Sequence, residues 1–122
     1  MSKFVIKTVS TGFLFDLKAG NGEIIGVSEV YTSKPACLKG IDSVKSNAAA
    51  AGLEDQTAAG QAKNPKFEVY ADKKGEFRFR LKARNGEIVL SSQGYKTKAS
   101  CLNGVESVRS NAPDAATEEA EA

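Results

Sequence analysis

The chain has 122 residues, 41% hydrophobic and 26% charged, with a formal charge of +2 at neutral pH, two cysteines, and neither histidine nor tryptophan. That balance suits one globular domain and is short for two independent ones. Without histidine the usual general base and the commonest transition-metal ligand are gone, which excludes histidine-dependent triads and zinc sites of mixed cysteine–histidine ligation.

No apolar run approaches the roughly 18 residues of a membrane span. The opening MSKFVIKTVSTGF has no charged region followed by an apolar one, so it does not read as a secretory signal. Two cysteines without C-x-x-C spacing fit a reducing compartment, and the expected location is the cytoplasm.

In chain order, FVIK (Phe4–Lys7) and FLFDLK (Phe13–Lys18) read as strands. Asn21-Gly22 is the strongest short hairpin signal, and as a type I′ turn it would hold both central residues at positive φ. EIIGVS (Glu23–Ser28) is the third strand. Ser33 is placed as a helix N-cap. Beyond it Cys37, Leu38, Ile41, Val44 and Ala48 form one apolar stripe to lie on a sheet, with Lys39, Asp42, Lys45 and Ser46 facing water. Asn47 is expected to end the helix, since asparagine tolerates the left-handed conformation. Residues 50–65, AAGLEDQTAAGQAKN and the following proline, read as a linker.

The same parts then return. FEVYA (Phe67–Ala71), a turn at Asp72–Gly75, FRFRL (Phe77–Leu81), Asn85-Gly86 and EIVLSS (Glu87–Ser92) precede a helix capped by Thr97 and closed by Asn111. CLKGIDSVKSNA from Cys37 is matched by CLNGVESVRSNA from Cys101, and about half the positions from Asn21 to Ala48 equal their partners 64 residues on. Gly40 and Gly104 recur mid-helix, where glycine costs roughly 1 kcal/mol against alanine, which points to a close approach of another element. A unit of about 50 residues buries little by itself, so two copies must share a core. The resulting expectation is an α+β fold of two tandem β-β-β-α repeats, forming one pseudo-two-fold antiparallel sheet with two helices packed on one face. Repeat 1 is assigned to 2–49, the linker to 50–65, repeat 2 to 66–112, and a disordered acidic tail to 113–122.

The linked set of Phe-x-Phe-x-Leu-Lys-Ala strand, Asn-Gly-Glu-Ile turn, tyrosine and Ser-Val-basic-Ser-Asn helix end resembles the YegP family, small bacterial and archaeal proteins of unassigned function. The resemblance covers both copies. It implies an α+β fold of two β-β-β-α units, sometimes with a further strand after the helix, in which repeats or subunits form one continuous antiparallel sheet with exchanged strands. It brings no agreed activity, cofactor or catalytic residue.

Candidate sites follow from chemistry. Cys37 and Cys101 sit near helix N-termini, where a thiol is activated, yet also in the apolar stripe, where free cysteine packs inertly; the second reading is preferred. Lys18/Glu23 and Lys82/Glu87 flank the repeated turn as a paired carboxylate–amine site or, more plainly, as cross-strand partners. Residues 63–112 carry eleven basic and five acidic side chains, and Arg78, Arg80, Lys82 and Arg84 line up beside Tyr70. That stripe is the candidate binding surface, able to track a phosphate backbone or simply to keep a strand face soluble. The acidic Glu118, Glu119 and Glu121 are candidates to fold over it. No catalytic, cofactor or metal-binding residue is assigned. The function expected is that of a monomeric, non-enzymatic binding or accessory module, using the exposed sheet face or the groove between copies, with a protein or nucleic acid as partner and no membrane. Single-stranded nucleic-acid binding and cysteine-based redox chemistry are the alternatives.

Overall fold

The structure, a computed structural model, describes residues 2–58 and 61–120. In chain order it runs β1 (Lys3–Val9), β2 (Gly12–Lys18), β3 (Ile24–Val27), α1 (Lys34–Ala50), β4 (Gly52–Asp55), β5 (Lys66–Ala71), β6 (Phe77–Lys82), β7 (Ile88–Ser91), α2 (Lys98–Asn111), a 3-10 turn (Ala112–Asp114) and β8 (Ala116–Glu119). All eight strands join one sheet in the order β4-β5-β6-β7-β3-β2-β1-β8.

The α+β class holds, but the sheet is mixed rather than antiparallel. Hairpin neighbours pair antiparallel, while β4 on β5 and β8 on β1 pair parallel. Two assignments are corrected by these edge strands. The segment 50–65, read as linker, contains the end of α1 and β4, and the tail 113–122, read as disordered, contains β8. Each unit is therefore β-β-β-α-β. The closing strand of each is laid on the other: β4, which follows α1, extends the second hairpin set, and β8, which follows α2, extends the first.

At the centre β3 and β7 meet through a single antiparallel pair, Val27 with Ser91, which are equivalent positions of the two units. One unbroken row of paired residues crosses the sheet there: Glu54, Glu68, Arg80, Ser91, Val27, Asp16, Val5 and Glu118. Beside the central pair, Gly26 leaves the space that the side chain of its counterpart Leu90 fills; a Cβ at Gly26 would lie 2.6 Å from the Leu90 Cγ and Cδ2 atoms.

Alternation puts Phe4, Phe15, Leu17, Phe67, Val69, Phe79 and Leu81 on the helix side, all fully buried. They pack with Cys37, Ile41, Val44 and Ala48 of α1 and Cys101, Val105 and Val108 of α2 in one continuous core drawn from both units. Each such side chain contributes about 1.5–3 kcal/mol on leaving water. Leu38, expected in the stripe, is 40% exposed, and Gly40 takes its place on the buried face.

The helical glycines are explained by tyrosines. A Cβ at Gly40 would stand 2.4 Å from Tyr31 Oη, and one at Gly104 would stand 2.7 Å from Tyr95 Oη and 2.8 Å from Phe79 Cε2. Each ring lies flat on a core phenylalanine, Tyr31 on Phe15 and Tyr95 on Phe79, with centroids 6.3 Å apart in both cases.

Ser33 and Thr97 cap the helices as expected, accepting from the amides of Ala36 and Ser100. Asn111 is the last residue of α2 as expected, but right-handed at φ −93° rather than left-handed, and Asn47 lies inside the last turn of α1. Each side-chain amide donates one turn back, to the carbonyl and hydroxyl of Ser43 or Ser107. The Asn-Gly hairpins also differ from a type I′ turn. Gly22 and Gly86 alone have positive φ, with their amides donating to Ala19 and Ala83 and closure by Ala19 N to Glu23 O and Ala83 N to Glu87 O. That is a three-residue loop, a type I turn followed by a left-handed glycine. No helix among the described residues is long and apolar enough to cross a membrane.

Candidate functional site

The expected stripe is only partly assembled. β5 and β6 bring Tyr70, Arg78, Arg80 and Lys82 together on the open sheet face, where the Arg80 guanidinium lies over the Tyr70 ring at 4.7 Å. Arg84 is separated from them in the β6–β7 turn. Each of the three strand cations gathered here has a carboxylate partner, Glu68 of the row across the sheet for two of them and Asp72 of the β5–β6 turn for the third. Arg78 Nε donates to Asp72 Oδ2 at 2.8 Å, Arg80 Nε to Glu68 Oε1 at 2.5 Å, and Lys82 Nζ lies 3.3 Å from Glu68 Oε2. Lys66 bridges Glu68 and Glu54, and Gln56 donates to both. Burial pushes the Glu68 carboxyl up, but Arg80 and Lys82 pull it further down, to a net position below the ordinary carboxylate range. Bonds from Gln56, Lys66 and the Ala62 amide hold Glu54 at about 2. A phosphate approaching this face meets cations already matched to acids.

The acidic tail lies elsewhere too. Glu118 pairs with Lys3 at 3.0 Å and Glu119 with Lys34, both at the far edge of the sheet from Arg78; Glu121 lies outside the described residues. Asp55 on β4 pairs with Lys98 in the equivalent contact. Neither Lys18–Glu23 nor Lys82–Glu87 forms an ion pair among the described residues. Both cysteines are free and fully buried. Burial raises the Cys37 thiol, and burial with the nearby Asp55 charge pushes Cys101 up to about 11. Such thiols are poor nucleophiles near neutral pH. Among the described residues no three cysteine or carboxylate side chains gather as a metal group.

Between the two units the surface is different. The β6–β7 turn of the second repeat stands over helix α1 of the first, leaving two adjoining hollows of about 210 and 480 Å³. Tyr31, Lys39, Gly40 and Ser43 line one with Asn85, Glu87 and Val89; Ser43, Ser46 and Asn47 line the other with Arg84 and Asn85. Ser43, Ala83 and Asn85 are shared, so the two form one groove. Three sequence signatures of the repeat thus converge here, the Asn-Gly-Glu turn, the tyrosine and the Ser-Val-basic-Ser-Asn helix end. The turn comes from one copy, the tyrosine and helix from the other. Burial raises the Tyr31 phenol, followed by the charges of Glu29, Cys37 and Glu87; Tyr95 is raised by burial, Cys101 and Glu23, so each turn's glutamate acts on the other copy's tyrosine.

Among the candidate residues only Arg84 and Glu87 fall in this groove. The others were legible as repeated motif positions, but nothing in a one-dimensional pattern says that a turn will cross to the opposite helix. The basic member of the helix-end motif has a packing role: Lys45 Nζ sits 5.8 Å from the Phe4 ring centroid, and Arg109 lies over Phe67 while donating to the Ala51 carbonyl at 2.9 Å.

Comparison with known proteins places this architecture. A model described as a domain of unknown function (DUF1508) matches residues 9–55 and again 72–119. A UPF0339 protein of Pseudomonas aeruginosa is 40% identical over 115 residues, 93% of either chain. One of Treponema denticola is 61% identical over 54 residues, which is 44% of this chain but 93% of that protein. The solution structure of yegP from E. coli, itself of unknown function, superposes with a TM-score of 0.80 at 37% identity, covering 97% of this chain and 91% of that one. With one match on each of its two repeats, the chain belongs to the DUF1508, or UPF0339, family of proteins of unknown function.

Proposed function

We propose that the protein is a non-catalytic binding module whose working surface is the groove between α1 and the β6–β7 turn. The observation that carries this reading is the convergence of repeated motif residues from both copies on one polar hollow, lined by Tyr31, Ser43, Asn47, Asn85 and Glu87. These groups bind without reacting: there is no nucleophile–base pair among them, and the two thiols lie in the core. The open sheet face supports the reading less well, because Arg78, Arg80 and Lys82 are engaged by Asp72 and Glu68. Fusion of the copies makes a complete groove within a single chain, which supports a monomer as the working unit, and two free, buried cysteines suit the cytoplasm.

The test is affinity capture from lysate with three baits, the wild type, a groove-filling Ser43→Arg variant and a face variant, Arg80→Gln. Expected is a nuclease-resistant protein set held by the wild type and by Arg80→Gln but lost with Ser43→Arg. Retention by Ser43→Arg, or loss on nuclease treatment, overturns the reading.

A further inference from the structure

The α1 groove has counterpart residues 64 positions away, around α2 and the β2–β3 turn, and their chemistry has diverged. Around α1 the groove donors can be counted from the bonds already made. Ser43 Oγ accepts from the Asn47 amide at 3.0 Å, so its own proton is free to donate outward. Asn85 Oδ1 accepts from the Glu87 backbone amide at 3.0 Å, so its NH2 group remains available. The Tyr31 hydroxyl has no hydrogen-bond partner among the described residues and borders the same hollow. The second copy repeats these three: Ser107 accepts from Asn111, Asn21 accepts from the Glu23 amide, and Tyr95 stands where Tyr31 does.

The cations are not repeated. Lys39 and Arg84 line the α1 groove, and neither takes part in an ion pair among the described residues. Their counterparts 64 residues away are Asn103 and Gly20. The single carboxylate is common to both, Glu87 on one side and Glu23 on the other. The α1 groove is thus donor-rich with two free cations and one acceptor, while the matching residues around α2 keep the donors and the acceptor without the cations.

Resting on the binding reading above, we propose that the α1 groove takes an acidic peptide segment of a partner protein, one per chain, and that the equivalent position at α2 does not. The donors and the two cations suit carboxylate side chains. Glu87 is an acceptor that the backbone N–H groups of a peptide can satisfy and an ionised phosphate, which has no donor, cannot. The open, shallow shape of the groove suits a short extended segment rather than an enclosed small molecule.

The probe is N-acetylated hexaglutamate, titrated into the intact chain while amide chemical shifts are followed by NMR, with inorganic pyrophosphate and oligothymidylate in parallel arms. Expected are salt-sensitive shifts at Lys39, Ser43 and Ala83–Glu87, with Ala19–Glu23 and Asn103 unmoved. The double variant Lys39→Gln with Arg84→Gln should weaken binding about tenfold, as two exposed charge contacts allow. No shift at millimolar peptide, shifts centred on Arg78 to Lys82, equal response at the α2 side, or tighter binding of pyrophosphate or oligothymidylate would each overturn the proposal. The capture experiment separates the two levels. Partners lost with Ser43→Arg but kept by the double variant leave the groove standing and sink only the acidic specificity, whereas indifference to Ser43→Arg sinks both.

Discussion

Gly104 shows what a single missing Cβ does in this fold. Alanine there would gain about 1 kcal/mol of helix propensity, but its methyl would meet Tyr95 Oη at 2.7 Å and the Phe79 ring at 2.8 Å. Phe79 is fully buried and stacked on the half-buried Tyr95, so the Phe79 ring cannot yield without disturbing the core. Gly104→Ala is therefore expected to destabilise the protein by about 1–3 kcal/mol in urea denaturation, and a stabilised variant would contradict the packing described. This glycine was readable as a close-approach signal from its recurrence; which residue approaches was not, because Tyr95 is nine residues away in a loop. The thiols give a second test at this scale. With Cys37 and Cys101 fully buried and Cys101 raised to about 11, native protein should react with a disulfide reagent at pH 7 only at the rate at which it opens. Rapid stoichiometric labelling would show a reactive cysteine after all.

Strands β1, β2, β5 and β6 were legible because alternation and β-branched or aromatic residues mark them. β4 and β8 were not, because GLED and ATEE carry neither signal and become strands only by finding an edge to pair with. The same lack of local propensity makes them clasps. β8 pairs with β1 and holds Lys3 and Lys34 through Glu118 and Glu119, while Ala115 just before it is buried. Removing residues 113–122 should lower the melting temperature by at least about 5 °C, corresponding to roughly 1 kcal/mol; an unchanged melt would make β8 ornamental. The carboxylates around β4 and β5 set the acid behaviour. Glu54 is held at about 2 against an ordinary 4.5, with Asp55, Glu68 and Asp72 also lowered. A group whose pKa is depressed on folding stabilises above its unfolded pKa and loses that stabilisation as the pH falls through its folded one. Melting temperature should thus be flat above pH 4.5 and fall between 4.5 and about 2, with a shallower fall for Glu54→Gln. Stability that rose on acidification would contradict the sign.

For the molecule as a whole, the repeat announced a shared core, and one continuous cluster of buried residues from both units is what the structure contains. The cross-over of turn to opposite helix that makes the groove was beyond reach, since it depends on the sheet order and not on any local pattern. Within the sheet each unit lends its last strand to the other, and β3 and β7 join the two hairpin sets through only one central residue pair. Either unit expressed alone should accordingly show no cooperative monomeric unfolding by circular dichroism, while mixing the separate halves should restore a melt; an autonomous single unit would refute the sharing. Gly26 and Leu90 carry this further. A dimer of identical subunits must put the same residue on both sides of its axis, where two leucines collide and two glycines leave a hole. Two halves joined in one polypeptide are free of that constraint, and here the equivalent positions hold unequal residues. The consequence is asymmetry: a chain built from two copies of either half would lose the fit of Gly26 against Leu90.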